Sequence, residues 1–135
     1  MIRRLEIATS SRAQMVDVTG EVQRAISESG AQEGFCHIYV PHTTAGIAIN
    51  ENADPSVAQD ILAVLEKIAP RGGSYRHLEG NADSHVKASI VGSSETVLIE
   101  GGRLVLGTWQ GLFLCEFDGP RRRRLLVKVV EAAFP

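Results

Sequence analysis

The C-terminal part of the chain constrains the fold most. From Thr96 onward, β-favouring apolar runs alternate with tight turns: TVLIE, Gly101-Gly102, RLVLGTW, GLFLCEF, Asp118-Gly119-Pro120 and RRRRLLVKVVEA. Apolar runs divided by Gly-rich turns predict antiparallel hairpins. Helical patterns occur only earlier, so the expected class is α+β with a late β-meander.

Upstream, LEIAT reads as a strand. Val18, Val22, Ala25, Ile26 and Ser29 then recur at helical spacing, with Asp17 or Thr19 as candidate N-cap and Gly30 as stop. FCHIYV is β-rich and ends at Pro41. AGIAI follows as a second strand whose small residues allow a close approach. Asp54 and Pro55 suit the N-cap and first position of a helix, and Val57, Ile61, Val64, Leu65 and Ile68 form its apolar stripe. Pro70, Gly72 and Gly73 end it. Asp83 to Ile90 predicts a short third helix stopped by Gly92, with Asp83 as a possible cap. No linker or repeat divides the chain, so residues 1–135 are expected to form one domain.

Composition bears on partners and compartment. The net charge is −2, which gives no global reason to bind nucleic acid. No apolar run approaches the ~20 residues of a membrane span, and MIRRLEIATS lacks the features of a signal peptide. The expectation is therefore a cytoplasmic protein with no membrane partner. Cys36 and Cys115 sit inside apolar strand-like runs and read as buried thiols.

Three polar clusters fall at element boundaries, where a rigid scaffold can aim side chains at a shared cleft. They are His42-Thr43-Thr44, Asn50-Glu51-Asn52-Ala53-Asp54, and His77, Glu79, Asn81, Asp83 and His85. His42, His77 and His85 could supply three imidazoles to a Zn²⁺ with an open fourth position, or could each be a hydrogen-bonded structural residue. Glu51 and Glu79 are candidate general bases or partners to a histidine. The backbone at Asn81 to Asp83 opens a helix and could face a phosphate. His37, in mid-strand, reads as structural.

Two further features are ambiguous. Trp109 reads as core or interface filler, with Gln110 on the opposite face of a strand and free to bond a ligand amide or pyrimidine edge. Glu116 shares the parity of Gln110. The run Arg121 to Arg124 fits a solvated edge, a phosphate site or ion pairs with a neighbouring subunit.

HTTAGIAINENADP, YRHLEGNADSHVKASIVGSS and GGRLVLGTWQGLFLCEFDGPRRRR, in that order, resemble the signature blocks of the YjbQ family. The resemblance spans about Cys36 to Val130. It implies an α+β fold with an antiparallel, sandwich-like sheet core, two longer helices and one short one. It also implies a homotrimer with polar pockets near subunit boundaries. The implied activity is a weak thiamine-phosphate synthase, which joins a pyrimidine-methyl diphosphate to a thiazole phosphate and expels pyrophosphate. The site residues it carries over are His42, Thr44, Asn50, Glu51, His77, Glu79, Asn81, His85, Gln110 and Glu116. The chemistry asks for positive charge or a divalent ion, Zn²⁺ or Mg²⁺, on the leaving oxygens, and no organic cofactor is expected. Two other readings of the same residues are a metal-dependent hydrolase on His42, His77 and His85, and a trimeric binder of a small anion or metal.

Overall fold

A computed structural model describes residues 1–132; residues 133–135, the end of the expected domain, lie outside the described residues. The elements in order are β1 (Ile2–Ala8), β2 (Gln14–Asp17), α1 (Thr19–Ser29), β3 (Glu33–Tyr39), β4 (Ala45–Glu51) and α2 (Pro55–Ile68). After these come α3 (Ala82–Val91), β5 (Ser94–Glu100), β6 (Arg103–Leu104), β7 (Gln110–Glu116) and β8 (Arg122–Glu131). The class is α+β, as expected.

The strands form two antiparallel sheets, one ordered β1-β8-β3-β5-β6 and the other β2-β7-β4. Ile38, Val97, Leu125 and Val127 of the first sheet pack against Ile47, Leu112 and Leu114 of the second, with Val22 and Ile26 of α1 in the same core. The outer face of the smaller sheet is covered in turn. Phe113, Cys115 and Phe117 meet Leu65 of α2 and Ala88 of α3. The result is a sandwich with a helical layer on one side.

The late strands do not form a meander. β5 and β6 pair, but β7 leaves for the second sheet and β8 returns between β1 and β3. The physical reason lies in GLFLCEF. Its almost unbroken apolar run is buried on both faces, which only a central strand between two packed layers allows. The expected strand RLVLGTW is reduced to Arg103–Leu104. Trp109 precedes β7 and is 62% exposed, so it is not core.

Local signals explain the helices. Asp54 Oδ1 accepts the Ser56 N–H at 2.9 Å and Pro55 opens α2. Gly30 closes α1 in the left-handed conformation at φ 76°. Asp17, just ahead of α1, accepts the Thr19 N–H at 3.0 Å. In α3, Asp83 is not the cap. Asn81 holds that position without a side-chain bond to the helix backbone, while Asp83 is fully buried between Arg12 and Lys87. The close approach allowed by the small residues of AGIAI is filled by the end of α3. A Cβ on Gly46 would lie 2.6 Å from the Gly92 carbonyl oxygen, and the Ile47 N–H donates to that same oxygen.

One end of the sandwich is closed by charge. Glu116 follows Leu112 and Leu114 on the inner face of β7, and Arg123 precedes Leu125 and Val127 on the inner face of β8. Arg123 donates to Glu116 through Nε and a terminal nitrogen, and to Thr44 Oγ1 at 2.8 Å. Thr9 Oγ1 donates to Glu116 at 2.7 Å, and the N–H groups of Phe117 and Asp118 donate at 3.1 Å. Burial pushes the Glu116 carboxyl up, but the bonds from Arg123, Thr9 and Asp118 outweigh it and hold the group below the ordinary carboxylate range.

A carboxyl depressed in the folded state contributes stability above its unfolded pKa of about 4.3. That contribution is lost as pH falls through the lower folded value. Glu116→Gln is expected to cost about 3 kcal/mol at pH 7, because it leaves a buried guanidinium without its counter-charge. Its stability should also fall less steeply below about pH 4 than that of the parent. Urea unfolding at pH 7 and pH 3.5 checks both; an unchanged midpoint at pH 7 would refute the role given to this pair.

Candidate functional site

The loop from β3 to β4, the start of α3 and the turn from β7 to β8 meet beside the Glu116–Arg123 pair. They enclose an open cleft of about 540 Å³, lined by Tyr39, Pro41, His42, Thr43, Thr44, Glu79, Asn81, His85, Asp118, Arg121 and Arg123. Five of the residues expected from sequence, His42, Thr44, Glu79, Asn81 and His85, therefore share one wall system. Three segments hold them: the β3–β4 loop carries His42 and Thr44, the turn before α3 carries Glu79 and Asn81, and α3 itself carries His85.

His42 is fixed by the backbone. Its Nε2 accepts the Arg124 N–H at 2.8 Å, which spends the Nε2 lone pair. Burial lowers its pKa, and the positive charges of Arg123, Arg124 and Arg121 add to this against the opposing Glu116. A neutral ring that accepts at Nε2 carries its proton on Nδ1, so His42 acts as an N–H donor.

Asn81 Nδ2 donates to Asp118 Oδ2 at 2.9 Å, while Asn81 Oδ1 is buried without a donor. Arg121 donates to the same carboxylate at 3.1 Å and to the Asp118 carbonyl. Burial alone would push the Asp118 carboxyl up; Asn81 and Arg121 hold it below the usual range. The cleft thus combines N–H donors at His42 and Arg121 with carboxylates at Glu79 and Asp118. It suits a small polar ligand that is itself anionic or bipolar.

The remaining expected residues are placed elsewhere. His77 stands beside the cleft, its ring centroid 5.1 Å from that of His85 at an interplanar angle of 82°, and its Nε2 is 3.7 Å from Glu79. Glu116 lies beneath the cleft with 0% exposure and its oxygens filled by protein donors, so it positions Arg123 and Thr44 rather than meeting a ligand. Asn50, Glu51 and Gln110 lie at the far end of the second sheet. Ala45 pairs with Glu116 at the cleft end, and Glu51 pairs with Gln110 six residues along, roughly 20 Å away at strand rise. Asn50 Oδ1 accepts the Glu51 N–H, and Gln110 Oε1 accepts the Gly107 N–H.

Within one chain, the expected convergence of Glu51 on the histidines therefore does not occur. Nor are His42, His77 and His85 grouped as three zinc ligands within one chain. Among the described residues, no three His, Cys, Asp or Glu side chains are grouped to share an ion. The arginine run divides by strand parity. Arg121 and Arg123 serve the cleft, Arg122 is exposed 3.9 Å from Glu6, and Arg124 offers its backbone N–H to His42. Tyr39 and Asp118 do not stand out in the sequence as site residues, whereas Thr43 belongs to the His42-Thr43-Thr44 cluster. Only proximity to a chain reversal marks the first two, a signal too common to select them.

At pH 7 the His42 ring should be neutral with its proton on Nδ1. Long-range ¹H–¹⁵N correlation on imidazole-labelled protein reads this directly. A ring protonated at Nε2, or charged at pH 7, would remove the donor assigned to the cleft.

With this geometry in place, relatives can be compared. The sequence profile of the family described as "UPF0047 protein YjbQ-like" matches residues 3–132. A UPF0047 protein of Methanocaldococcus jannaschii is 52% identical over 96% of this chain and 94% of its own length. YugU of Bacillus subtilis, also a UPF0047 protein, is 49% identical over 96% and 99%. Among solved structures, an uncharacterised YjbQ/UPF0047 protein of Clostridium acetobutylicum superposes with TM-score 0.93 at 50% identity, over 95% of this chain and 99% of that one. A protein of unknown function from Sulfolobus solfataricus gives TM-score 0.93 at 32% identity, over 98% and 97%. On sequence and fold alike, the chain belongs to the YjbQ-like UPF0047 family.

Proposed function

We propose that this protein is a small-molecule enzyme acting on a phosphorylated substrate in the polar cleft, with the weak thiamine-phosphate synthase reaction as its specific form. The observation that carries the reading is the pairing of fixed N–H donors, His42 Nδ1 and the Arg121 guanidinium, with Glu79 and His85 across one cleft.

In that reaction the thiazole nitrogen donates its lone pair to the methylene carbon. The carbon–oxygen bond breaks, and its electron pair leaves with pyrophosphate. The chain's contribution is electrostatic. Arg121 and the His42 N–H hold the diphosphate oxygens, where negative charge grows as the bond breaks. Thr43 and Thr44 lie on the same wall. His85 and Glu79 are placed to hold a proton at the leaving oxygen or at the thiazole phosphate.

A divalent ion fits this scheme only as Mg²⁺. The oxygens of Glu79, Asp118 and Asn81 are the donors it favours, and when bound it would offset charge on the leaving group. The zinc hydrolase alternative is disfavoured, since His42 Nε2 is already spent on a backbone N–H. A non-catalytic binder would use the same cleft and turn nothing over.

The reading includes a homotrimer. Phe35, Leu98 and Val130 are cross-strand neighbours on the outer face of the five-stranded sheet, and Leu98 is 62% exposed. Among the described residues that face carries no helix, and a second copy would remove this apolar row from water. Leu98→Glu should shift the mass measured by light scattering from trimer towards monomer. A trimer that persists would exclude this face from the contact.

Activity is tested by mixing the two thiamine precursors with Mg²⁺ and measuring pyrophosphate release. The expected result is slow release that drops about a hundredfold in Arg121→Ala, the usual loss when one charge-stabilising donor is removed. Release no faster than in buffer would leave the binding role and end the synthase reading.

A further inference from the structure

A second concavity of about 400 Å³ adjoins the polar cleft, lined by Tyr75, Arg76, His77, Ala82, His85 and Val86. Its character is opposite to that of its neighbour. No carboxylate lines it, and its walls are three rings, a methyl, an isopropyl group and one arginine. His85 is common to both, so a single imidazole separates a polar compartment from an aromatic one.

The rings are held in place. Tyr75 donates its hydroxyl proton to the Pro70 carbonyl at 2.7 Å, and its ring lies against Gly73, where a Cβ would sit 3.0 Å from two ring carbons and the hydroxyl oxygen. His77 and His85 pack edge to face, an arrangement that fixes both planes. Ala82 and Val86 project from α3 one turn apart and form a floor with no polar group. A slot with fixed aromatic walls, an apolar floor and a guanidinium at its rim is suited to a flat, electron-rich ring.

We infer that this slot is the ring subsite of the enzyme, and that its ligand is a planar heteroaromatic ring joined through a short arm to the phosphate held in the polar cleft. The inference rests on the phosphorylated-substrate reading and adds where the ring half of that substrate is held. His85 is then the dividing wall. It faces the ring on one side and the phosphate-bearing arm on the other, which is where the bond between arm and phosphate would lie. Such a ligand explains why a chain with few aromatics places Tyr75, His77 and His85 together beside a cleft that needs none of their apolar surface.

The test compares two probes by isothermal titration: inorganic pyrophosphate, and the hydroxymethylpyrimidine diphosphate that carries the same anion on a ring. Tyr75→Ala and Val86→Gln each alter the slot without touching the polar cleft. In the parent protein the ring-bearing probe should bind at least about tenfold more tightly than pyrophosphate, the order expected for stacking one heterocycle. Both substitutions should remove most of that advantage and leave pyrophosphate affinity unchanged. Equal affinities in the parent, or an advantage that survives both substitutions, would overturn the ring subsite while keeping the anion site. Failure of pyrophosphate itself to bind would instead overturn the phosphate reading on which the subsite depends.

Discussion

The Glu116–Arg123 pair is the interaction on which the rest of this structure depends. Two packed sheets leave an end where the core stops and water could enter. Here that end is sealed by opposite charges, one from each sheet, pointing inward on the same parity as the core leucines. A pair so buried is poor value as a source of stability, since desolvation consumes most of its Coulomb energy. Its effect is positional. Arg123 ties the start of β4 through Thr44, and Glu116 gathers the N–H groups of the β7–β8 turn and the hydroxyl of Thr9. Two of the three segments that line the cleft, together with the end of β1, are thereby referred to one point.

The same pair sets the chemistry next to it. Strand parity puts Arg123 inside, so the next residue, Arg124, turns its side chain outward and its N–H is left for His42. The imidazole is oriented by a backbone donor, not by a carboxylate of the kind that usually backs a metal-binding histidine. A second network performs the corresponding task for α3. Asp83, fully buried, takes Arg12 and Lys87, and Lys87 reaches Glu66 on α2. With Gly46 pressed against Gly92 at the other end, α3 has little freedom to shift, and His85 is presented from a fixed helix.

How much of this could be read beforehand varies with the range of the interaction. Capped helices were legible because Asp54-Pro55 and Gly30 act locally. β2 was missed, since QMVD is too short to show alternation. The meander failed because hairpin rules assume that neighbours in sequence pair. The continuous apolar run of β7 carried the contrary signal, that of a strand buried on both faces. At the site, residues near His42 and His85 could be grouped from their position at element boundaries. The parity linking Gln110 to Glu116 was right in register but passes through Leu112 and Leu114, both core. That path marks Glu116 as buried and places Gln110 at the distant end. The extended rise of β7 over six residues separates the two.

The arrangement also bounds how strongly the cleft can hold an anion. Of its two guanidiniums, Arg123 is saturated by Glu116 and Thr44, and Arg121 already bonds Asp118. A phosphate that recruits Arg121 must draw it from a carboxylate which then loses a donor, and Glu79 on the facing wall repels the incoming charge. The neutral N–H of His42 carries no such debt, because its ring is fixed on the opposite side by Arg124. An anion alone is therefore expected to bind modestly. Tight binding requires either a cation to screen the carboxylates or further contacts outside the cleft, and the aromatic slot across His85 is the adjacent surface able to provide them.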